Sequence, residues 1–486
     1  MKLKAKALLL LPLLVGGLSA LTACPEKYKG LTIKFWHTFG QTVQDGLKPK
    51  IAAFQQAVKE QEGVDLRIQM VYQGSYDDIA KKIADGYSVN NRPTIAVAYP
   101  DNVADYLEIG KSSGKEFVVN LDKYINDSSV GFGKEEWLGD VEGKDETDFV
   151  EDFYEEGKGY AVQGTYSLPF MKSTEIMFYN ITLLKYFMPT FKPEIGTSEE
   201  LIKEYMSDIS WEEFMQLCAH IKDNMADISD TLEVPAWYDS DANMFVSKLF
   251  QKNIGYSAVN DNGKGTILFA NEPDYTKTVE MLEEFNEAYK ANLFTTKGIK
   301  NTYGSDFFTG EQCVFSIGSS GGSGYNFPQA DAFDLGVCRV PDSNSNPLYV
   351  SQGPTLAIFN DNGLSAEKNE KTTLYAWKFL KYITNAQANA ELCVNGSEGY
   401  APVRYSAYET EFFQEFMEEG EQYAKCYDVI VNEININAGY LVAPAFKGSA
   451  ALRDECGSLL TAAIQAETSA IPGLVDRCIS NARQKF

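Results

Sequence analysis

The chain has 486 residues, 44% of them hydrophobic and 13% aromatic, so it is too long for one ordinary core and two domains are the natural expectation. Its formal net charge of −25 argues against nucleic acid as a partner and against an electrostatic hold on anionic lipid, and it disfavours a polyanionic ligand. Only His37 and His220 carry imidazoles, which leaves almost no raw material for a histidine-rich metal site or a Ser-His-Asp triad.

At the amino terminus Lys2, Lys4 and Lys6 precede an apolar run from Ala7 to Leu21 that is too short to span a bilayer comfortably, and Leu21-Thr22-Ala23-Cys24 follows. This pattern resembles a bacterial lipoprotein signal with its lipobox. The resemblance implies a signal peptide over 1–23, cleavage before Cys24, a diacylglycerol thioether on the Cys24 sulfur and a lipidated linker over 24–30. Each buried methylene of such an anchor contributes about 0.8 kcal/mol, and two or more chains hold stably. No later apolar run is long enough to cross a bilayer. The remaining cysteines are Cys218, Cys313, Cys338, Cys393, Cys426, Cys456 and Cys478, with no CxxC or zinc spacing among them. An exported compartment permits disulfides, and an odd number leaves at least one thiol unpaired. Cys218 and Cys393 sit in apolar helical patterns and read as small core residues.

After the linker, Leu31, Ile33 and Phe35 alternate with Thr32, Lys34 and Trp36 as a strand, and Val43, Leu47, Ile51, Phe54 and Val58 recur at helical spacing. Leu66 to Tyr72 predicts a second strand, Ser75-Tyr-Asp-Asp78 a capping box opening a helix, and Thr94 to Tyr99 a third strand. Strand, helix, strand, helix, strand implies a parallel sheet, whose ligands bind beyond the carboxyl ends of its strands. Those ends carry Trp36-His37-Thr38, Gln73-Gly74-Ser75-Tyr76 and Tyr99-Pro100-Asp101. Asn120 to Val150 is a polar excursion with acidic runs.

Gly159 to Asn180 organises the rest. Tyr160 to Tyr166 and Ile176 to Tyr179 have strand chemistry, while Pro169 cannot donate to a sheet ladder and forces the backbone to leave one sheet nearby. Lys172-Ser173-Thr174 then lays donors between two bodies. Further on, Ser210-Trp-Glu-Glu213 caps a helix with Phe214, Leu217, Cys218 and Ile221 on one face, and Trp237-Tyr-Asp-Ser240 precedes a helix through Met244, Phe245 and Leu249. Cys313 to Ile317 predicts a strand that runs into Gly318-Ser-Ser-Gly-Gly-Ser-Gly324, where glycines let backbone amides approach a ligand. The Gly-Lys-[Ser/Thr] ending of a nucleotide loop is lacking there. Phe333 to Pro341 is another strand, and Leu374 to Val394 is helical.

Several of these pieces carry a resemblance. Leu168-Pro-Phe170, Ser173-Thr174 and Phe178-Tyr-Asn180, then Gly318-Ser-Ser-Gly321, Gln352-Gly-Pro354, Ser397-Glu-Gly-Tyr-Ala-Pro402 and Pro444-Ala-Phe-Lys-Gly448 resemble, in order, motifs of the extracellular (family 1) solute-binding proteins that feed ABC importers. The pattern follows that of the periplasmic sn-glycerol-3-phosphate binders, and it spans Thr32 to Phe486.

The resemblance implies an α/β, two-lobed periplasmic-binding-protein-like fold (type II) with discontinuous lobes joined by three hinge crossings. It places lobe 1 at 31–170 plus 315–355 and a helix-rich lobe 2 at 171–314 plus 356–486. It implies ligand contacts at Trp36, Tyr76, Asp101, Ser173, Asp239, Ser319, Gly353, Tyr400 and Arg453. Two departures stand out: Pro100 occupies the place of the family's hydroxyl-binding glutamate, with Asp101 one later, and Ala450 occupies that of its phosphate-binding arginine, with Arg453 three residues on. The implied role is capture of a carbohydrate or glycerol-3-phosphate/glycerophosphodiester-like solute. The expected partners are ABC permease subunits and, through the lipid, the extracytoplasmic face of a bacterial membrane, with the protein acting as a monomer without cofactor, metal or enzymatic activity. A lipid-anchored hydrolase using carboxylates among Asp101, Asp239 and Glu175, and a solute-sensing module signalling to a membrane partner, are the alternative readings.

Overall fold

Alternating apolar positions make β1 (Leu31–His37), in which Ile33 and Phe35 are fully buried, and β2 (Leu66–Tyr72) and β3 (Ile95–Ala98) lie parallel on its two sides. This computed structural model describes residues 30–486 apart from 90, 261, 343–346, 397–398 and 421, so the signal segment, Cys24, Ser397 and Glu398 lie outside the described residues. The helices Gln41–Glu62, Tyr76–Val89 and Pro100–Ser113 return the chain after each of these strands, as parallel pairing requires. The expected capping box is present: Asp78 N donates to Ser75 Oγ at 3.1 Å and Ser75 N to Asp78 Oδ2 at 2.9 Å. β4 (Leu168–Pro169) sits at the sheet's edge, where a residue without an N–H costs no ladder bond.

The chain then builds a second sheet from β5 (Glu175–Asn180), β6 (Ala236–Tyr238), β9 (Phe294–Thr296), β10 (Phe315–Ser319) and β11 (Leu335–Arg339), with the small hairpin β7 (Ser257–Val259) and β8 (Gly265–Ile267) alongside. β12 (Leu348–Val350) pairs with β14 (Gly439–Leu441), and β13 (Thr355–Ile358) completes the first sheet, whose order is β2-β1-β3-β13-β4. The second sheet runs β11-β5-β10-β6-β9. These are two α/β lobes, and 170–174, 351–354 and the helical segments within 405–420 and 422–438 carry the chain between them.

The lobe boundaries expected from sequence need correction at both exchanged segments. Residues 315–319 pair antiparallel with β5 and parallel with β6, so they belong to the second lobe. Residues 355–358 pair antiparallel with β3, and the helices Ala366–Ile383 and Ala386–Gly396 follow them onto the first lobe, where the Phe379 ring lies 6.2 Å from Phe35 and 5.2 Å from Phe54. A Gly-Pro crossing marks where the chain changes body but carries no sign of the direction in which it passes. A second expectation also fails: 160–166 makes no strand beyond a Tyr160↔Ala445 bridge. The backbone bends at Gly164 (φ +133°), and the Tyr160 and Tyr166 rings pack on each other at 5.9 Å instead of facing a neighbouring strand.

The polar excursion is pinned to the first lobe by buried ions. Lys378 Nζ bonds Glu62 and Glu135 at 2.5 and 2.6 Å, Lys381 Nζ bonds Asp140 at 3.0 Å, and Arg404 reaches Asp148 at 3.3 Å. The second lobe is closed by the helices Ser449–Gln465 and Ile471–Arg483, which pack on Asp241–Gln251 and Asp274–Lys290. All seven cysteines among the described residues are free thiols in buried positions.

Candidate functional site

The carboxyl ends of β2 and β3 and the second lobe's helices Asp241–Gln251 and Ser449–Gln465 enclose a cavity of about 440 Å³ between the lobes. On the first-lobe wall Tyr76 and Tyr99 form an aromatic pair, ring centroids 4.4 Å apart and planes at 46°. Each ring sits there because its strand ends one or more residues earlier and the next helix begins. Burial raises both phenols above their ordinary pKa, Tyr76 well above it, so they remain neutral hydroxyls that donate and accept.

Tyr400 borders the same place. Its ring lies flat against two glycines: a Cβ at Gly321 would stand 3.1 Å from it and one at Gly353 3.2 Å. The loop that carries it is fixed from below by Arg404, whose Nε donates to the Thr384 carbonyl at 2.7 Å and whose guanidinium lies 3.9 Å over the Phe149 ring. Gly353 is required by geometry, with φ +89° and the Met171 carbonyl only 2.4 Å from where a Cβ would be.

The polar row of the first crossing is spent within the protein. Ser173 and Gln352 exchange backbone bonds at 3.0 and 2.7 Å, and Ser319 Oγ donates to Ser173 Oγ at 3.2 Å. Lys172 is buried, donating to Glu156 Oε2 at 2.6 Å and to the Gly353 carbonyl at 3.3 Å. Gln352 and Glu156 carry this layer to the cavity wall. Gln352 Oε1 and Ser351 Oγ are buried there with no hydrogen-bond partner among the described residues. These are acceptors that a hydroxylated molecule can satisfy.

Of the residues singled out in the sequence, Tyr76, Asp101 and Arg453 line the cavity together. Gly353 and Tyr400 stand beside it, and Ser173 and Ser319 lie one layer behind, bonded to each other. Asp101 is engaged across the gap: Ser449 Oγ donates to its Oδ1 at 2.5 Å, joining the helix starts of the two lobes. Asp239 is not a lining residue; it accepts from Gly304 N at 2.7 Å, and burial pushes its carboxyl up to about 6. Trp36 is buried in the first sheet, and Trp237 stacks on Phe307 at 4.3 Å, both away from the cavity. The three carboxylates named for a hydrolase are thus each held by protein groups: Asp101 by Ser449, Asp239 by Gly304, and Glu175 by Tyr238 and Asn243.

Sequence reasoning passes over Asn243 and its neighbours. Arg453 Nη2 donates to Asn243 Oδ1, Asn243 Nδ2 donates to Glu175 Oε1 at 2.8 Å, and Tyr238 OH donates to Glu175 Oε2 at 2.5 Å. The signal that the sequence offers is Glu175, an acid directly before the apolar run Ile176 to Tyr179; the structure buries every residue of that strand.

A family model described as bacterial extracellular solute-binding protein matches residues 51–418. The chain is 23% identical over 383 residues to the sn-glycerol-3-phosphate-binding periplasmic protein UgpB of Salmonella typhimurium, a match covering 78% of this chain and 75% of that protein. Among solved structures it is similar to the cyclic alpha-maltosyl-1,6-maltose binding protein from Arthrobacter globiformis, with a TM-score of 0.66 and 15% identity over 94% of this chain and 100% of that one. It is similar also to UgpB from Mycobacterium tuberculosis in complex with glycerophosphocholine, with a TM-score of 0.64 and 17% identity over 93% and 98% of the two chains. These likenesses establish the two-lobed fold.

Proposed function

This chain belongs to the family of bacterial extracellular solute-binding proteins, and we propose that it is the receptor of an ABC importer, lipid-anchored through Cys24, which captures a sugar or a glycerophosphate-type solute and delivers it unchanged to the permease. The observation that carries this reading is the cavity walled by both lobes, with the Tyr76–Tyr99 pair on one side and Arg453 with Asn243 on the other. Its volume of about 440 Å³ falls within the roughly 300–1,000 Å³ of small-molecule sites. Aromatic faces suit the carbon skeleton of a sugar or glycerol, and the unpaired Gln352 and Ser351 oxygens suit its hydroxyls.

The lobes act as a clamp because a solute that touches both walls binds the closed arrangement better than the open one; a solute with equal affinity for the two would close nothing. Asp77, Asp101, Glu156 and Asp454 also line the cavity, and Lys172 neutralises only Glu156, which favours neutral or singly charged solutes over polyanions. The test is a thermal-shift panel of glycerophosphates, disaccharides and oligosaccharides on the chain without its signal segment. A true solute at about 100 times its Kd adds roughly 2.7 kcal/mol of stability. Chemical conversion of that solute during incubation would replace the receptor reading with the hydrolase one.

The anchor has its own test. Cys24→Ser is expected to move the protein from the membrane to the soluble fraction, since no described helix is long and apolar enough to cross a membrane. Retention in membranes after washing would mean that something other than a lipid on Cys24 holds it there.

A further inference from the structure

Glu175 is fully buried on β5, opposite Ser319 of β10, and its two oxygens are both used: Tyr238 OH donates to one at 2.5 Å and Asn243 Nδ2 to the other at 2.8 Å. Asn243 turns its remaining atom, Oδ1, toward Arg453, which donates to it from the opposite helix. Arg453 has no carboxylate ion-pair partner among the described residues, and its guanidinium lines the cavity. An uninterrupted line of bonds therefore runs from the interior of the second lobe to the one arginine that lines the cavity among the described residues. We propose that Glu175 and Asn243 position Arg453 for a single negative charge on the solute, and that capture of such a solute is coupled to uptake of a proton by Glu175. This rests on the solute-binding reading of the cavity and deepens it.

The physical logic is competition for one positive charge. When Glu175 is ionised, its carboxylate draws on Arg453 through the Asn243 amide, and a second anion in the cavity meets a guanidinium already partly compensated. When Glu175 is neutral, that draw is gone and more of the guanidinium's charge serves the solute. The other groups facing Glu175 fix the sign. Asp239, on the loop after β6, disfavours its ionisation, while Arg453 and Lys248, from the helices Ser449–Gln465 and Asp241–Gln251, favour it. Burial outweighs these and pushes the Glu175 carboxyl up to about 7. An anion arriving at Arg453 raises it further. Binding then takes up a proton, and by linkage affinity is greatest at low pH and falls as pH rises through about 7. A shift of about one pKa unit on binding corresponds to a roughly tenfold change in affinity.

The experiment uses sn-glycero-3-phosphocholine, whose phosphodiester keeps one charge from pH 5.5 to 8.5, and maltotriose as a neutral probe, each titrated calorimetrically against wild type and Glu175→Gln. The amide imitates the neutral carboxyl, so the variant is expected to keep the low-pH affinity for the phosphodiester at pH 8.5 and to bind it about tenfold more tightly than wild type there. A purely structural role would weaken binding at every pH. Wild type alone, titrated near pH 7 in two buffers of different ionisation enthalpy, should show proton uptake, a measurement that does not depend on the variant folding. Equal pH slopes in wild type and variant, or no proton uptake, would overturn the relay and leave the receptor reading intact. So would binding of maltotriose with no binding of the phosphodiester. Failure of both probes to bind wild type would count against the relay and the sugar-or-glycerophosphate reading together.

Discussion

Lys381→Met is expected to cost the first lobe about 3–5 kcal/mol, the range seen when one member of a buried ion network is removed. Lys381 is 1% exposed at its side chain; it donates to Asp140 Oδ2 and to the Gly131 carbonyl, each at 3.0 Å, and lies 2.9 Å from Glu135 Oε2, off the angle of a hydrogen bond. Methionine fills nearly the same space, so the loss comes from charge. Among the described residues, Asp140 then keeps only the backbone donors of Lys134 and Glu135, and Glu135 only the neighbouring Lys378, although both carboxylates are buried. Urea unfolding followed by tryptophan fluorescence reads the effect, because Trp36, Trp137 and Trp377 all belong to the first lobe. Lys48→Met is the control. Its ion pair with Asp45 is more than half exposed on both sides, and its loss should stay within about 0.5 kcal/mol. A Lys381 variant no worse than that control would show that the excursion is held by its apolar contacts alone.

The same network marks a boundary of what the residues disclose on their own. In sequence Lys378 and Lys381 look like the solvated side of an amphipathic helix, and only the packing of 130–148 over that side makes them buried. By contrast, β1 to β3 and their helices are legible from local period, since Ile33, Phe35, Leu47, Phe54 and Ile79 have to face one core whatever the rest of the chain does. The capping pairs at Ser75 and Ser210 are legible for the same reason: their partners lie three residues away.

At the site, Tyr76, Asp101 and Arg453 were reachable through motif resemblance, which carries positions but not orientations; it could not tell that Asp101 reaches across to Ser449 or that Trp36 and Asp239 stand away from the cavity. Asn243 was not reachable, because its importance lies in what Glu175 and Arg453, 68 and 210 residues away, bring to it. Long-range polar bonds of this kind leave no periodic trace.

Gly353→Ala tests the hinge and the site at once, and should be felt in both. At φ +89° a side chain costs roughly 1–3 kcal/mol of backbone strain. The added methyl would also stand 2.4 Å from the Met171 carbonyl and 3.1 Å from Lys172 Cα, both backbone atoms that cannot swing aside, which adds about 1–3 kcal/mol of overpacking. Two of the three passages between the lobes, 170–174 and 351–354, touch at this point, so any relief separates them. Separation would loosen the Ser173–Gln352 bonds and shift the backbone against which the Tyr400 ring rests. Apo stability is therefore expected to fall by roughly 2–6 kcal/mol in urea, with solute affinity falling as well. Tyr400→Ala separates the two effects: it keeps the hinge backbone and removes only the ring, so it should lower affinity with little change in apo stability. A Gly353→Ala protein with normal urea behaviour and normal binding would mean that the crossing can shift freely past the neighbouring crossing at 170–174, and that the close approach of Gly353 to Met171 does not hold the two lobes in register.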